Sequence, residues 1–325
     1  MKITTAIISI MMIMLSLPSL HSQEPVRPAF LKEGDKIAII SPASVPDKLF
    51  VDGGAEILRQ WGLIPVYGTH VCSQNGTFAG TITQRGNDLQ WALTDPEIKA
   101  IMCSRGGYGS IQELVRMDTN IIKNNPKWII GYSDITAIHG AMVSNGVMSI
   151  HAHMLEHLNK TKGEDESSQY LRNMLFGEMP VYTVEHHPLN KQGKASGTLV
   201  GGNLSLITSI AGSKFNFLDR RDDIILFIED IDENLEHLNR MTYQLIASGV
   251  IDRVKAIILG DFGGYRPTAD FDTVEQMFDS IFQNYNIPIC YKFPCGHTFR
   301  NFPMIEGAKV TLTITGESTT LQFDI

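Results

Sequence analysis

The 325-residue chain has no excess of basic residues. Lysine and arginine together number 27, against 35 aspartate and glutamate residues, and the formal net charge at pH 7 is −8. A domain that binds nucleic acid normally carries a basic face that attracts the phosphates. The acidic balance therefore argues against a nucleic-acid partner.

Cysteine is also scarce, and its spacing matches no known site. The four cysteines are Cys72, Cys103, Cys290 and Cys295. Cys290 and Cys295 lack the C-x-x-C spacing of zinc and redox sites. We interpret the cysteines as packing residues or free thiols, although an oxidising compartment would permit a disulfide.

The glycine-rich segments lack nucleotide-binding motifs. Neither "SRGGYGS" nor "GGNLSLITS" has the spacing of G-x-G-x-x-G or of a P-loop. No internal repeat stands out. These absences argue against a nucleotide site and against a repeat architecture.

The N-terminal hydrophobic run is too short for a stable membrane anchor. It extends from Ile3 to Leu17 after Lys2, whereas a membrane-spanning helix needs about 20 apolar residues. A basic start, an apolar segment and a small residue near the cleavage point are typical of a secretory signal peptide. We therefore predict a signal peptide over residues 1–22 and an exported, periplasmic protein without stable membrane insertion.

Apolar runs alternate with segments of helical spacing in the first half of the chain. Strands that alternate with helices form right-handed parallel βαβ units. The pattern therefore predicts a parallel α/β sheet. The predicted strands lie in "DKIAIISPAS", "LIPVYGTHV", "AIMCSRGGYGS" and "KWIIGYS".

A polar stretch and a change of pattern indicate two domains. "NKTKGEDESSQY" (159–170) contains few apolar residues. Beyond it strands and helices mix, and "KVTLTITGESTTLQFDI" alternates apolar and polar residues as a β-rich tail does. We predict an N-terminal domain over residues 27–158, a linker over 159–196 and a mixed α/β C-terminal domain over 197–325.

Three side chains with the chemistry of a nucleophilic relay follow apolar runs. Ser133 follows "WII", Glu229 follows "IILFI" and His297 follows "YKFPCG". Ligands collect at the carboxyl ends of strands in open parallel sheets. In such a relay the imidazole takes the hydroxyl proton, the carboxylate orients the ring and the serine attacks a carbonyl carbon.

Each of these residues also has an ordinary interpretation. Ser133 could cap the following helix, Glu229 could be a solvated strand end, and His297 could be a loop residue. No spacing rule makes the three meet, so the pattern alone leaves the relay a hypothesis. An α/β-hydrolase has the same order of serine, acid and histidine along its chain. However, "GYSDI" has Ile135 where the G-x-S-x-G motif needs its second glycine, which argues against that fold.

Donors for an oxyanion could come from a glycine-rich loop. "SRGGYGS" (104–110) contains three glycines, whose backbone N–H groups can approach a ligand closely. The N–H of Asp134, directly after Ser133, is a natural second donor. The alternative is a tight turn that needs glycine at positive φ.

A histidine cluster suggests a different chemistry. His151 and His153 flank one residue, and Glu156 and His157 follow closely in "SIHAHMLEH". Such a cluster could hold a divalent metal, with Asp261 as a distant ligand. The alternative is a pocket wall or a set of surface histidines.

Taken together, several segments resemble the LD-carboxypeptidases, a family of serine peptidases that includes muropeptide carboxypeptidases and microcin-C self-immunity proteins. The resemblance runs from about residue 27 to residue 323. It is carried by the order of the segments, since no single one is specific. The segments are "SPAS", "CSRGGYGS", "IIGYSDITAIH", "GGNLSLI", "ILFIEDIDENLEHLNRM", "ILGDFGG" and "CGHTFRNFPMIEGAKV".

The resemblance implies a catalytic triad of Ser133, Glu229 and His297. It also implies an oxyanion hole from the backbone N–H groups of Gly107 and Asp134. The fold it implies is a flavodoxin-like N-terminal domain followed by a swivelling β/β/α C-terminal domain, with the site between them. Family members are typically homodimers and need no metal or other cofactor.

The activity that the resemblance implies is release of a terminal D-amino acid, D-alanine, from murein tetrapeptides by hydrolysis of an L,D-peptide bond. Two departures bear on the substrate. Many members have a His-Gly-Pro-Met segment where this chain has "HAHM", which keeps His151 and replaces the next two residues with Ala152 and His153. A signal peptide is the second departure, because well-known Gram-negative members act in the cytoplasm.

The substrate carboxylate needs a cation or hydrogen-bond donors nearby. Arg105, beside the glycine loop, is a candidate, with a surface salt bridge as its alternative, and His151 is a second candidate for substrate binding. Three other functions stay open: a hydrolase of a microcin-C-like conjugate, a metal-dependent amidohydrolase that uses His151 and His153, and a non-catalytic muropeptide-binding protein.

Overall fold

The residues that the structure describes form two β-sheets, a six-stranded sheet and a seven-stranded sheet. The structure is a computed structural model that describes residues 24–219 and 221–325. The predicted signal peptide therefore lies outside the described residues. Among the residues described, no helix has both the length and the apolar character needed to cross a bilayer.

The first sheet has the doubly wound order of a flavodoxin-like fold. Its strands run β2-β1-β3-β4-β5, all parallel, which is the order of that fold. The predicted α/β class is therefore confirmed. The strands are β1 (Lys36–Ile40), β2 (Ile64–Tyr67), β3 (Ile98–Cys103), β4 (Trp128–Gly131) and β5 (Ser149–His151), and the helices between them are α1 (Lys48–Gln60), α2 (Ile82–Thr94), α3 (Ser110–Leu114), α4 (Asn120–Asn124) and α5 (Thr136–Ser144).

The second half of the chain forms the mixed sheet. Four of its strands are parallel neighbours, and three more join it antiparallel at one side. In chain order the elements are α6 (Leu155–Thr161), α7 (Glu166–Leu175), β6 (Val181–Glu185), β7 (Gly193–Asn203), α8 (Leu204–Ile210), β8 (Ile224–Ile231), α9 (Leu235–Ala247), β9 (Val254–Gly263), α10 (Val274–Phe282), β10 (Ile289–Cys290), β11 (Met304–Glu306), β12 (Lys309–Ile314) and β13 (Ser318–Phe323).

The segment predicted to be a linker, residues 159–196, contains regular structure. It includes α7, β6 and the start of β7. Leu171, Met174 and Tyr182 from this segment are buried in the core. Its first part is polar because the loop after α6 is largely exposed and the buried residues of the first turn of α7 are the serines Ser167 and Ser168, whereas the apolar residues that follow carry the packing.

The two sheets are joined rather than separated by a linker. β11 belongs to the second half of the chain, but it pairs antiparallel with β5 and completes the first sheet. The Glu306 side chain on β11 accepts a hydrogen bond from the Gly201 backbone N–H on β7 at 3.0 Å. The Asn203 backbone N–H donates to the Thr136 hydroxyl on α5 at 3.1 Å. These contacts fix the position of the first sheet relative to the second.

Glu306 makes stability depend on pH. Its side chain is completely buried, and this burial raises its pKa well above the usual value of 4.5, against the opposing hydrogen bond from Gly201. A carboxyl whose pKa is higher in the folded chain destabilises the fold as pH rises past the unfolded pKa.

Glu306→Gln should therefore gain stability relative to the wild type as pH rises from 5 to 8. Urea denaturation of both proteins at pH 5 and pH 8 measures the free energy of unfolding. A variant that loses stability relative to the wild type between these pH values would contradict the prediction.

Candidate active site

Ser133 occupies a strained corner between β4 and α5. Its φ is +65°, a conformation that is uncommon for a residue other than glycine. A short 3-10 turn, Ser133–Ile135, connects it to α5. A side chain at Gly131 would come within 2.9 Å of Ile135 Cγ1, so glycine is required for this close turn. Strain of about 1–3 kcal/mol at such a position is frequent at functional sites.

Ser133, His297 and Glu229 form one hydrogen-bonded chain. His297 Nε2 lies 3.0 Å from Ser133 Oγ, and His297 Nδ1 lies 2.7 Å from Glu229 Oε2. An ionised carboxylate only accepts, so Nδ1 carries the proton and Nε2 is free to accept from the serine hydroxyl. The structure thus brings together the three residues that the sequence proposed as a relay. Ser133 Oγ faces the imidazole here and does not cap α5.

Two glycines make room for the carboxylate. Glu229 lies near the end of β8 and is completely buried. A side chain at Gly296, where φ is +107°, would come within 2.6 Å of Glu229 Oε2. One at Gly260 would lie 3.2 Å from Glu229 Cβ. Glycine at these positions lets the loop that carries His297 close directly over the carboxylate.

The surroundings of His297 favour its protonated form. Burial alone lowers the pKa of the imidazole, but the hydrogen bond to Glu229, the charge of Glu229 and the nearby carboxylates Asp230 and Asp261 outweigh burial. The pKa of His297 is therefore raised above 6.5. Such a ring is a strong enough base to take a proton and is stabilised once it holds it.

The glycine loop lies against the serine. A side chain at Gly106 would come within 2.9 Å of Ser133 Cβ, and one at Gly107, where φ is +114°, within 2.2 Å of Ser44 Oγ. The loop is tied to the residue after the serine, because the Ser110 backbone N–H donates to Asp134 Oδ2 at 2.8 Å and the Ser110 hydroxyl to the Asp134 carbonyl at 2.6 Å. The two segments proposed to supply oxyanion donors therefore flank Ser133.

Arg85 anchors this loop, and sequence reasoning missed it. The side chain is buried, and its guanidinium donates to the carbonyls of Pro42 at 3.2 Å and Gly80 at 2.9 Å and to Gln112 Oε1 at 2.8 Å. Glu113 lies 3.3 Å away as its charge partner. An arginine within the predicted helix was the available signal, but apart from Gly80 its partners lie on two distant segments, around Pro42 and around Gln112.

The two proposed substrate-binding residues differ in access. Arg105 is exposed, donates to the Val45 carbonyl at 3.2 Å and lines a cavity of about 250 Å³ together with Glu156 and Asp47. His151 is completely buried beneath Tyr132. The expectation that His151 contacts substrate is therefore not met in this conformation, because its ring packs into the core instead.

The histidine cluster is occupied by other contacts. His153 Nε2 bonds to the Phe299 carbonyl, and His157 Nε2 lies 3.1 Å from Asp165 Oδ1. Within the part of the chain that the structure describes, no three His, Cys, Asp or Glu side chains are grouped to hold a metal ion. The metal-dependent alternative therefore has no candidate ligand set there. The four cysteines are free thiols.

Comparison with known proteins identifies the family of the chain. The N-terminal domain of the LD-carboxypeptidase family matches residues 37–152, and its C-terminal domain matches residues 196–312. A Bacillus subtilis protein named a probable murein peptide carboxypeptidase is 34% identical over 90% of this chain and 93% of its own. The murein tetrapeptide carboxypeptidase of Pseudomonas aeruginosa is 30% identical over 82% of this chain and 89% of its own.

Solved structures show the same fold. A muramoyltetrapeptide carboxypeptidase from Oxalobacter formigenes superposes with a TM-score of 0.78 at 24% identity, covering 89% of this chain and 98% of that one. A protein from Bacillus anthracis that resembles the microcin self-immunity protein superposes with a TM-score of 0.79 at 24% identity, over 92% of this chain and 99% of that one. The chain belongs to the LD-carboxypeptidase family.

Proposed function

We propose that the protein is a serine-type LD-carboxypeptidase that releases terminal D-alanine from peptidoglycan-derived tetrapeptides. The observation that carries the proposal is the hydrogen-bonded chain from Ser133 through His297 to Glu229. Relatives named murein peptide and murein tetrapeptide carboxypeptidase support the substrate class.

The first step is attack by the serine on the scissile carbonyl carbon. His297 Nε2 takes the hydroxyl proton as the Ser133 Oγ–carbon bond forms, and the carbonyl π electrons move to its oxygen. Glu229 holds the ring in the tautomer that accepts at Nε2 and stabilises the imidazolium that results. Burial of the carboxylate strengthens this interaction, because the local dielectric is low.

The backbone N–H groups of Gly107 and Asp134 would stabilise the oxyanion. Donors fixed beforehand need no reorganisation when the charge develops, and one donor is worth about 3–4 kcal/mol of transition-state stabilisation. The loop and the serine corner are fixed to each other through Ser110. The oxyanion electrons then re-form the carbonyl, the C–N bond to D-alanine breaks and its nitrogen takes the proton from His297, which leaves an acyl-enzyme. Water, deprotonated by His297, attacks the ester carbon, and the C–O bond to Ser133 breaks as its oxygen takes that proton back.

Recognition of the terminal carboxylate falls to Arg105 in this proposal. The guanidinium is exposed beside the glycine loop, and within residues 24–219 and 221–325 its one hydrogen bond is to a carbonyl at 3.2 Å, so it can turn toward a bound carboxylate. A carboxylate accepts two parallel N–H bonds from a guanidinium. Export to the periplasm by way of residues 1–22, and a homodimeric assembly, belong to the same proposal.

Replacement of the nucleophile should abolish turnover and leave the fold intact. Ser133→Ala should lower kcat by about 10⁴-fold or more, because members of a triad act as a unit. Mass spectrometry of purified tetrapeptide muropeptides after incubation with the mature protein measures this. The wild type should remove the mass of one alanine residue, and Ser133→Ala should not.

An exposed serine gives the matched control. Ser209 on α8 is exposed, and its hydroxyl donates to the Ser205 carbonyl of the same helix at 2.7 Å, so Ser209→Ala should keep wild-type turnover. Retained turnover in Ser133→Ala would defeat the assignment. Loss of wild-type activity on chelation would favour a metal-dependent amidohydrolase, and tight binding without release of D-alanine would favour a binding protein.

The pH dependence of activity should follow His297. The ring must be neutral to act as a base, so kcat/KM should fall as pH drops through a pKa above 6.5. In Glu229→Gln the charge of Glu229 is removed, whereas Asp230 and Asp261 still raise the pKa against burial, so the pKa of His297 should fall below its wild-type value. NMR titration of the ring nitrogens measures this on the resting protein. An unchanged pKa in the variant would show that Glu229 does not control the ring.

A further inference from the structure

His153 joins the segment after β5 to the loop that carries His297. Its Nε2 lies 3.1 Å from the carbonyl oxygen of Phe299, two residues beyond His297. A carbonyl oxygen only accepts, so the ring donates through Nε2–H. Burial, the largest influence, lowers the pKa of His153 to about 3, so the ring is neutral at physiological pH. The bond connects the first half of the chain to the second.

The His153 ring is itself held firmly. It is 4% exposed and stacks on His157 with ring centroids 3.4 Å apart and an interplanar angle of 7°. His157 in turn contacts Asp165, which caps α7 by accepting from the backbone N–H groups of Ser167 and Ser168. Contacts with α6 and with the N-terminal cap of α7 therefore hold the His153 ring in place.

Tyr132 lies between His153 and the catalytic side chains. Its ring meets the His153 ring edge-on with centroids 5.8 Å apart at 89°, and its centroid is 4.9 Å from that of His297. Tyr132 also directly precedes Ser133 in the chain. Through Tyr132, the His153 ring therefore packs against the residue that precedes Ser133 and, one ring further, against His297.

Two other contacts of the segment after His297 lie at the surface, whereas the loop's own bond from the Gly296 N–H to Asn301 Oδ1, at 2.8 Å, is buried. Arg300 pairs with Glu166 at 2.9 Å, with side chains 58% and 47% exposed, and such a pair stabilises by about 0–1 kcal/mol. The Phe299 side chain is 66% exposed. The buried bond to His153 is thus better suited than these two surface contacts to fix the loop.

We infer that His153 is a positioning residue: by donating to the Phe299 carbonyl it fixes the loop and keeps His297 Nε2 within hydrogen-bond distance of Ser133 Oγ. The inference rests on the proposed function and adds to it a residue that touches neither substrate nor the reacting atoms. His153 is also one of the two positions at which the chain departs from the His-Gly-Pro-Met segment, and a proline there would have no side-chain donor.

Two substitutions at this position separate donation from packing. His153→Leu fills the space without a donor, whereas His153→Gln keeps an N–H at nearly the same distance from the backbone. With a tetrapeptide ending in D-alanine, the leucine variant should lose about 10- to 100-fold in kcat with KM changed by less than about twofold, because a shift of about 1 Å in a catalytic group has an effect of this size. The glutamine variant should stay within about threefold of the wild-type kcat.

A measurement without substrate tests the same inference independently. In protein with ¹⁵N-labelled histidine, with His297 assigned through His297→Ala, the pKa of His297 should be above 6.5 in the wild type and in His153→Gln. It should fall in His153→Leu, because a displaced ring loses its bond to Glu229. If the leucine variant does not fold, His153→Asn, whose amide is too short to reach the carbonyl, takes its place in the comparison with His153→Gln.

Each outcome decides the question. Equal kcat and equal His297 pKa in the leucine and glutamine variants, whether both normal or both impaired, would overturn the inference, because donation would then not matter. If the wild type fails to cleave the tetrapeptide but the His297 pKa responds as described, the substrate is wrong and the positioning role of His153 stands.

Discussion

The rest of the structure depends on the hydrogen bond between the His297 imidazole and the buried Glu229 carboxylate. A carboxylate with no exposed surface is costly to bury unless it is paired, and here the ring at 2.7 Å is its partner. The requirement explains the glycines at positions 260 and 296, since a Cβ at 296 would lie 2.6 Å from Glu229 Oε2 and one at 260 would lie 2.6 Å from the carbonyl oxygen of Cys295, on the loop that carries His297. It also explains why the ring, although largely buried, is a stronger base than a free histidine.

The serine comes from the first sheet and its partners come from the second, so the site exists only while the two sheets hold their relative position. Three features maintain it: β11, which leaves the second half of the chain to complete the first sheet, the bond from Gly201 to Glu306, and the bond from Asn203 to Thr136. His153 extends this set to the loop of His297. The strained φ of Ser133 is kept because the strand before it is paired with β3 and β5 and the helix after it is held by the Thr136 bond.

Local pattern was sufficient for the parallel sheet and for the position of Ser133 after a strand, because both depend on near neighbours in the apolar runs. It was not sufficient for the meeting of Ser133, Glu229 and His297, which are 68 to 164 residues apart and were joined only through family resemblance. The linker prediction overlooked α7 and β6, because a polar first turn hid the buried residues behind it. The anchoring role of Arg85 depends on carbonyls from distant segments, and no local pattern reports these.

The central claim is that Ser133, activated by His297 and Glu229, forms a covalent bond to the carbonyl carbon of the substrate. The most direct test is reaction of the protein with a tetrapeptide analogue in which a phosphonate diester replaces the scissile carbonyl, followed by peptide mapping by mass spectrometry. The account predicts one phosphonyl group per chain on Ser133, formed with loss of the alcohol leaving group. Tight binding without covalent attachment, or attachment at another residue, would contradict it.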